Sequence, residues 1–176
     1  MSRAALIPLK EGKPQPEIEF SNSWGGAARV WDSLFNKYLK DPNIPYHTWL
    51  CQTESESPLW KLAQRQDLPM CERAVHAFTF DHFYVRREHF IRMATDLRSF
   101  DDLNPTQGSQ SNHLPAWADL IEKSDADAIG LWATSVCSNP WNKYDPETDE
   151  AIPFPLSDGW EVYDWLETHK TKGVCA

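Results

Sequence analysis

Two apolar segments at the start of the chain, residues 4–9 and 16–20, predict short strands joined by a turn. In the second segment Ile18 and Phe20 alternate with glutamates, which is the period of a half-buried strand. The prolines in both segments restrict these strands to edge or bulged positions. The pattern therefore predicts an N-terminal hairpin.

In the middle of the chain the apolar residues recur at helical spacing, in segments that begin at capping residues or prolines. The same pattern returns close to the C-terminus. The predicted helices cover residues 27–40, 58–66, 69–78, 82–100, 114–123 and 160–169. Between them, residues 42–57 are rich in turn-forming residues, and residues 101–112 form a polar loop.

The composition changes after residue 125, where a run without a helix cap is rich in β-forming residues. Residues 128–136 predict a central strand, and residues 151–154 predict an edge strand. Strands, then helices, then strands and a last helix indicate an α+β fold. We expect a small antiparallel or mixed sheet, formed by the N-terminal hairpin and the C-terminal strands, packed against five to six helices.

The length of 176 residues suits a single domain. We expect one domain over residues 1–176, with a helical middle at about 24–124 and an acidic C-terminal part at about 125–176. The four cysteines are far apart and form no Cys-x-x-Cys pair, so we interpret them as reduced thiols. No run of residues is long enough for a membrane helix or a signal peptide. These observations predict a cytoplasmic protein.

The charge is distributed unevenly along the chain. Residues 1–100 carry a net charge of +1 and residues 101–176 carry −10, which together give −9. Phosphates would be repelled by the second part, so direct nucleic-acid binding there is not expected. The arginines near residues 70–100 are expected to pair with downstream acids. The remaining acids favour docking on a basic protein surface.

A cluster of histidines and an aspartate offers one route to enzymatic chemistry. His76, Asp81, His82 and His89 are residue types that bind metals, and they lie within fourteen residues. Their spacing matches no metal motif, and core or helix-rim roles explain each of them. A metal-dependent enzyme built on this cluster is therefore the alternative interpretation, and our preferred interpretation includes no cofactor.

A second candidate is the junction before the first helix, where Gly25 and Gly26 follow several small polar residues. Small residues at a helix N-terminus allow an anion to approach the backbone closely. The junction lacks the register of a P-loop or a dinucleotide-binding motif. A tight turn before a helix requires the same residues, and we favour that interpretation.

The tryptophans and the acidic residues near the C-terminus give the functional hypothesis. Trp141 has no obvious core role, and exposed tryptophans often anchor protein interfaces. We predict a non-enzymatic protein-binding protein that docks on a basic partner, such as a small inhibitor, an immunity protein or a viral anti-defence protein. The predicted partner-binding residues are Trp141, Asp145, Glu147, Asp149, Glu150, Trp160, Glu161 and Asp164.

Overall fold

The N-terminal strand lies inside a mixed sheet in the computed structural model, which describes residues 3–40, 57–106, 111–134 and 137–170. The strands are β1 (Arg3–Lys10), β2 (Lys13–Pro14), β3 (Ile18–Ser21), β4 (Phe83–Arg86), β5 (Ala128–Trp132), β6 (Asn142–Asp145), β7 (Glu150–Pro153) and β8 (Trp160–Glu161). The helices are α1 (Ala27–Tyr38), α2 (Pro58–Lys61), α3 (Met70–Phe78), α4 (Phe90–Leu103), α5 (Leu114–Lys123) and α6 (Val162–Thr168). The α+β fold with a mixed sheet is thus confirmed.

The main sheet has the order β2-β1-β5-β4-β8, and β3 pairs with the first half of β1. All its pairs are antiparallel except β4 with β8. Strand β1 pairs with β5 over five residues, so the N-terminal hairpin and the strand after residue 128 share one sheet, as predicted. Strands β6 and β7 form a separate two-stranded sheet.

The two faces of β1 are covered by different parts of the chain. Ala4 and Leu6 belong to the main core with the helices, whose largest fully buried side chains include Trp117, Phe78 and Phe100. Ala5, Ile7 and Leu9 belong to a smaller core with Trp141 on the other face. Strand β1 is therefore buried from both sides, although it comes at the beginning of the chain.

Trp141 packs directly on the second face of the sheet. Its indole Nε1 donates a hydrogen bond of 2.8 Å to the carbonyl oxygen of Ile7. The approach requires a glycine in β5, because a Cβ at Gly130 would collide with Pro140 and lie 3.2 Å from the Trp141 ring. Gly130 therefore permits the close packing of Pro140 and Trp141 on the sheet.

The predicted helix over residues 82–100 is wrong at its start. His82 has a positive φ of 61°, and residues 83–86 form β4 between β5 and β8. Phe83, Tyr84 and Val85 are all buried, because this strand is covered on both faces. A short, continuous apolar run of this kind cannot be distinguished from a buried helix segment by periodicity alone.

Smaller differences occur at other element ends. Residues 101–103 continue α4 instead of starting the loop, and the strand from residue 128 ends at Trp132. The strand predicted at 151–154 exists as β7, but it pairs with β6 and not with the main sheet. The last helix begins at Val162, because Trp160 and Glu161 form β8.

The helix predicted over residues 58–66 is shorter in the structure: α2 is followed by a 3-10 turn at Leu62–Gln64. Most of the turn-rich stretch 42–57 lies outside the described residues. Within the described ranges, no helix combines the length and apolar character needed to cross a membrane.

The burial of Trp141 predicts a large effect on stability. Trp141→Ala is expected to lower the free energy of unfolding by about 3–5 kcal/mol, because it empties the centre of the second core. Trp160→Ala is the matched control, since Trp160 is 46% exposed. This variant is expected to lower the free energy of unfolding by only about 1 kcal/mol. Urea unfolding measures both, and equal losses would contradict the assignment of Trp141 to the core.

Candidate functional site

The acidic segment predicted to bind a partner forms the β6–β7 hairpin. Its end is shaped by two aspartates: Asp145 accepts a hydrogen bond of 2.9 Å from the Glu147 N–H, and Asp149 has a positive φ of 59°. An aspartate side chain that bonds to the backbone two residues later favours a turn, and aspartate tolerates the left-handed region. The sequence therefore folds locally into a tight hairpin.

The base of the hairpin is attached to the sheet at Trp141 and Phe154. The Phe154 N–H donates to the Trp141 carbonyl at 2.7 Å, and the Phe154 ring stacks on His82 with ring centroids 3.9 Å apart. The carbonyl of His82 also accepts from the Trp160 N–H at 3.2 Å. His82 therefore connects the base of the hairpin to the strand that carries Trp160.

The carboxylates of the hairpin have no cationic partner in the described parts of the chain. None of the ion pairs found there includes Asp145, Glu147, Asp149 or Glu150. Asp145 lies directly opposite Glu150 in the strand register. Like charges in opposed positions of a hairpin destabilise it, so this arrangement opposes the folding of the hairpin itself.

Two large aromatic side chains are exposed on this part of the molecule. Tyr144 on β6 is 65% exposed, and its hydroxyl donates a hydrogen bond of 2.7 Å to Asp149, whose carboxylate raises the pKa of the tyrosine. Trp160 is 46% exposed and stacks on Phe83, with ring centroids 5.6 Å apart. Sequence reasoning missed Tyr144, although its position between Lys143 and the first acid of the turn indicated an accessible ring.

The prediction that Trp141 is an exposed anchor is wrong, because only 2% of its surface is accessible. Its position in a loop between two strands suggested exposure, whereas the small Gly130 opposite allows the ring to pack on the sheet. Trp141 supports the hairpin from below and is not available to a partner.

Glu161 is likewise buried, with 3% of its surface exposed, which contradicts its assignment to an exposed docking face. Its Oε2 accepts hydrogen bonds from the backbone N–H groups of Tyr163 and Asp164 at 2.7 and 3.0 Å, so it caps α6. Its Oε1 lies 2.9 Å from Nδ1 of His89. Asp164 is exposed, but its charge is already paired with Arg86.

The four residues of the alternative metal site do not converge. His76 is fully buried and stacks on Trp60, while its Nε2 lies 2.8 Å from the carbonyl oxygen of Leu59. His82 lies at the base of the hairpin, as described above. In the described part of the chain, no group of three or more histidine, cysteine, aspartate or glutamate side chains is placed to hold a metal ion.

Asp81 and His89 also have separate roles. An Asp81 carboxylate oxygen accepts a hydrogen bond of 3.2 Å from the Ser138 backbone N–H, which holds the start of the segment before the hairpin. His89 faces Glu161 and contacts the Tyr163 ring edge to face, with centroids 4.8 Å apart. The metal-site hypothesis is therefore contradicted by the positions of its own residues.

The glycine junction before α1 is filled by other side chains. A Cβ at Gly26 would lie 2.6 Å from the Trp117 ring, and one at Gly25 would lie 2.7 Å from Cβ of Ser111. The backbone of Gly25 also accepts a hydrogen bond from the N–H of His113 at 2.7 Å. These glycines allow α5 to pack closely against the start of α1, which is the structural role we favoured.

No family model, curated protein or solved structure matches the chain.

His76 makes the stability of the fold dependent on pH. Burial lowers the pKa of His76 from 6.5 to about 4. Below pH 6.5 the unfolded chain takes up a proton that the folded chain does not, so stability falls as the pH decreases from 6.5 towards 4. The expected total loss is about 3 kcal/mol. Urea unfolding between pH 7.5 and pH 5 measures the part of this loss that falls above pH 5, which is expected to be about 2 kcal/mol.

The matched variant is His76→Gln, which keeps a donor for the Leu59 carbonyl but does not titrate. The difference in unfolding free energy between the two proteins is expected to change by about 1.4 kcal/mol per pH unit below pH 6.5. Parallel pH profiles of the two proteins would contradict this role.

Proposed function

We propose that this chain is a non-enzymatic protein-binding protein that docks on a basic surface of another protein through the β6–β7 hairpin and Trp160. The observation that supports it most is the set of four hairpin carboxylates without a cationic partner in the described chain. The proposed contact residues are Asp145, Glu147, Asp149, Glu150, Tyr144 and Trp160.

Elsewhere in the molecule several basic residues are paired internally. Arg29 pairs with Asp101, and Arg98 pairs with both Asp119 and Glu122. Such pairs reduce the local field, whereas the hairpin concentrates negative charge at one place. Concentrated charge of one sign increases the association rate with an oppositely charged partner more than it increases affinity.

The repulsion inside the hairpin also supports a cationic partner. Asp145 and Glu150 face each other across the two strands. A lysine or arginine between them would convert this repulsion into attraction, so binding would stabilise the hairpin. The energy gained on binding thus includes the relief of a destabilising contact in the free protein.

Tyr144 and Trp160 supply the apolar part of the interface. Both rings are exposed; Tyr144 lies on β6 beside Asp145, and Trp160 is linked to the base of the hairpin through His82. Tyrosine and tryptophan are the residues that most often dominate the binding energy of protein interfaces. In this proposal the acids guide the approach, and the two rings slow dissociation.

An inhibitory role extends the same proposal. A protein of this size that covers a basic surface would block nucleic acid from reaching that surface. We propose the role of a small cytoplasmic inhibitor, of the immunity or anti-defence kind, from size and charge. Reduced cysteines agree with that compartment, and Cys71 and Cys137 are free thiols.

The test begins with capture of partners from a lysate of the source cells, followed by kinetics with the purified partner. Neutralising the hairpin is expected to slow association about tenfold or more at low salt, with a smaller effect on dissociation. The difference should shrink at about 0.5 M salt, where the Debye length is about 4 Å. The variant carries Asp145→Asn, Glu147→Gln, Asp149→Asn and Glu150→Gln.

The control variant removes the same number of charges from other exposed positions. It carries Glu11→Gln, Glu17→Gln, Asp32→Asn and Asp102→Asn. Because both variants have the same net charge, only the location of the charge differs. Equal slowing by the two variants, an unchanged rate in the hairpin variant, or the lack of any binding protein would each contradict the proposal.

A further inference from the structure

A groove of about 950 Å³ lies along the polar side of α1, between the residues before this helix and those after α4. Its volume falls within the range of small-molecule sites. None of the hairpin residues contributes to its walls. Whatever binds here is therefore independent of the proposed docking of a protein partner.

One wall of the groove is a stripe of polar residues on a single face of α1. Positions 29, 32, 33, 36 and 37 of α1 line it at the helical spacing of residues that share a face, and position 40 lines it just beyond the end of the helix. Three of these positions are cationic, Arg29, Lys37 and Lys40, and one, Asp32, is anionic. The stripe thus places cationic and hydrogen-bonding groups along one side of the groove.

Arg29 is the most unusual member of this stripe, because only 6% of its surface is exposed. Its Nη2 donates to Oδ1 of Asp101 and to the carbonyl oxygen of Asn104, both at 2.6 Å. Its Nη1 has no hydrogen-bond partner in the described parts of the chain. A buried donor without an acceptor costs about 1–3 kcal/mol, more when it is charged.

The acceptors around Arg29 are already shared with other donors. Asn112 donates to both carboxylate oxygens of Asp101 at 2.9 Å. Burial lowers the pKa of Arg29, although the negative charge of Asp101 and its hydrogen bond act in the opposite direction. The guanidinium therefore retains hydrogen-bonding capacity for an added anionic oxygen.

The two lysines of the stripe differ in their partners. Lys37 donates a hydrogen bond of 2.6 Å to the fully buried carboxylate of Glu72, which also accepts from Tyr38 at 2.5 Å and from Asn104 at 3.0 Å. Lys40 is exposed and takes part in no ion pair with a described residue. Lys40 is therefore the cation best able to bind a ligand from solvent.

An aromatic ring completes the groove on the side before α1. Trp24 lines it and is 65% exposed. Its backbone N–H donates to the side-chain oxygen of Asn22 at 3.2 Å, and Asn22 also donates to Ser111 at 3.3 Å, which holds the position of this turn. An exposed indole beside cationic groups is suited to stacking on a flat, electron-poor ring.

We propose that this groove binds a mononucleotide, with the phosphate held by the cationic stripe of Arg29, Lys37 and Lys40 and the base stacked on Trp24. Cationic side chains are the usual ligands of phosphate groups, and stacking on tryptophan accepts any base. The Nδ2 groups of Asn36 and Asn104 already donate within the protein, so their side-chain oxygens on the same walls accept hydrogen bonds from the sugar hydroxyls.

Titration calorimetry of the full chain at low salt tests the proposal, with AMP, GMP, CMP and UMP as ligands. At least one nucleotide is expected to bind at least tenfold more tightly than either its nucleoside or inorganic phosphate. Lys40→Gln and Trp24→Ala are expected to weaken that binding at least fivefold each. Both positions are exposed, so these variants do not depend on replacing the buried Arg29.

Lys13→Gln and Trp160→Ala are the matched controls, since neither residue lines the groove. They are expected to leave nucleotide affinity unchanged. No binding of any of the four nucleotides at millimolar concentration would overturn the proposal. It would equally be overturned by a nucleoside or phosphate that binds as tightly as the nucleotide, or by groove variants that behave like the controls.

Discussion

The packing of Trp141 on the sheet is the contact on which the C-terminal part of the structure depends. The ring covers the face of β1 and β5 that the helices leave open, and Gly130 provides the space for it. The hairpin begins immediately after this residue and returns to it through the Phe154 hydrogen bond. A two-stranded hairpin is marginally stable alone, so the position of β6 and β7 follows from this buried anchor.

Pairing of charges within the molecule determines which acids remain free. Arg86, Arg87 and Arg98 pair with acids that follow them in the sequence, and Arg92 lies 4.0 Å from the centre of the Tyr163 ring. This agrees with the expectation for Arg86, Arg87 and Arg98, whereas Arg73 donates to the Ala63 carbonyl and forms no ion pair with a described residue. Four of the acids without an ion pair in the described chain lie together in the hairpin, where Lys143 pairs with none of them.

Several elements were predictable because their patterns are local. The alternation of Ile18 and Phe20 and the helical spacing in α1 and α5 each occur within one element. Strand β4 and the burial of Trp141 were missed because both depend on distant residues: β4 is a strand only between β5 and β8, and Trp141 is buried only by β1 and Gly130. The metal-site hypothesis failed for the same reason, since proximity in sequence did not bring the histidines together in space.

The strength of the anchor also explains how the hairpin can retain opposed like charges. Asp145 and Glu150 repel each other across β6 and β7, which destabilises the hairpin. The Tyr144–Asp149 hydrogen bond offsets only part of this destabilisation. The remainder must come from the core beneath, where a buried tryptophan contributes several times more than a surface charge pair costs. A region whose shape is fixed by the core is free to carry a charge pattern that is unfavourable for its own folding. That separation between anchor and surface is what a preorganised acidic docking site requires.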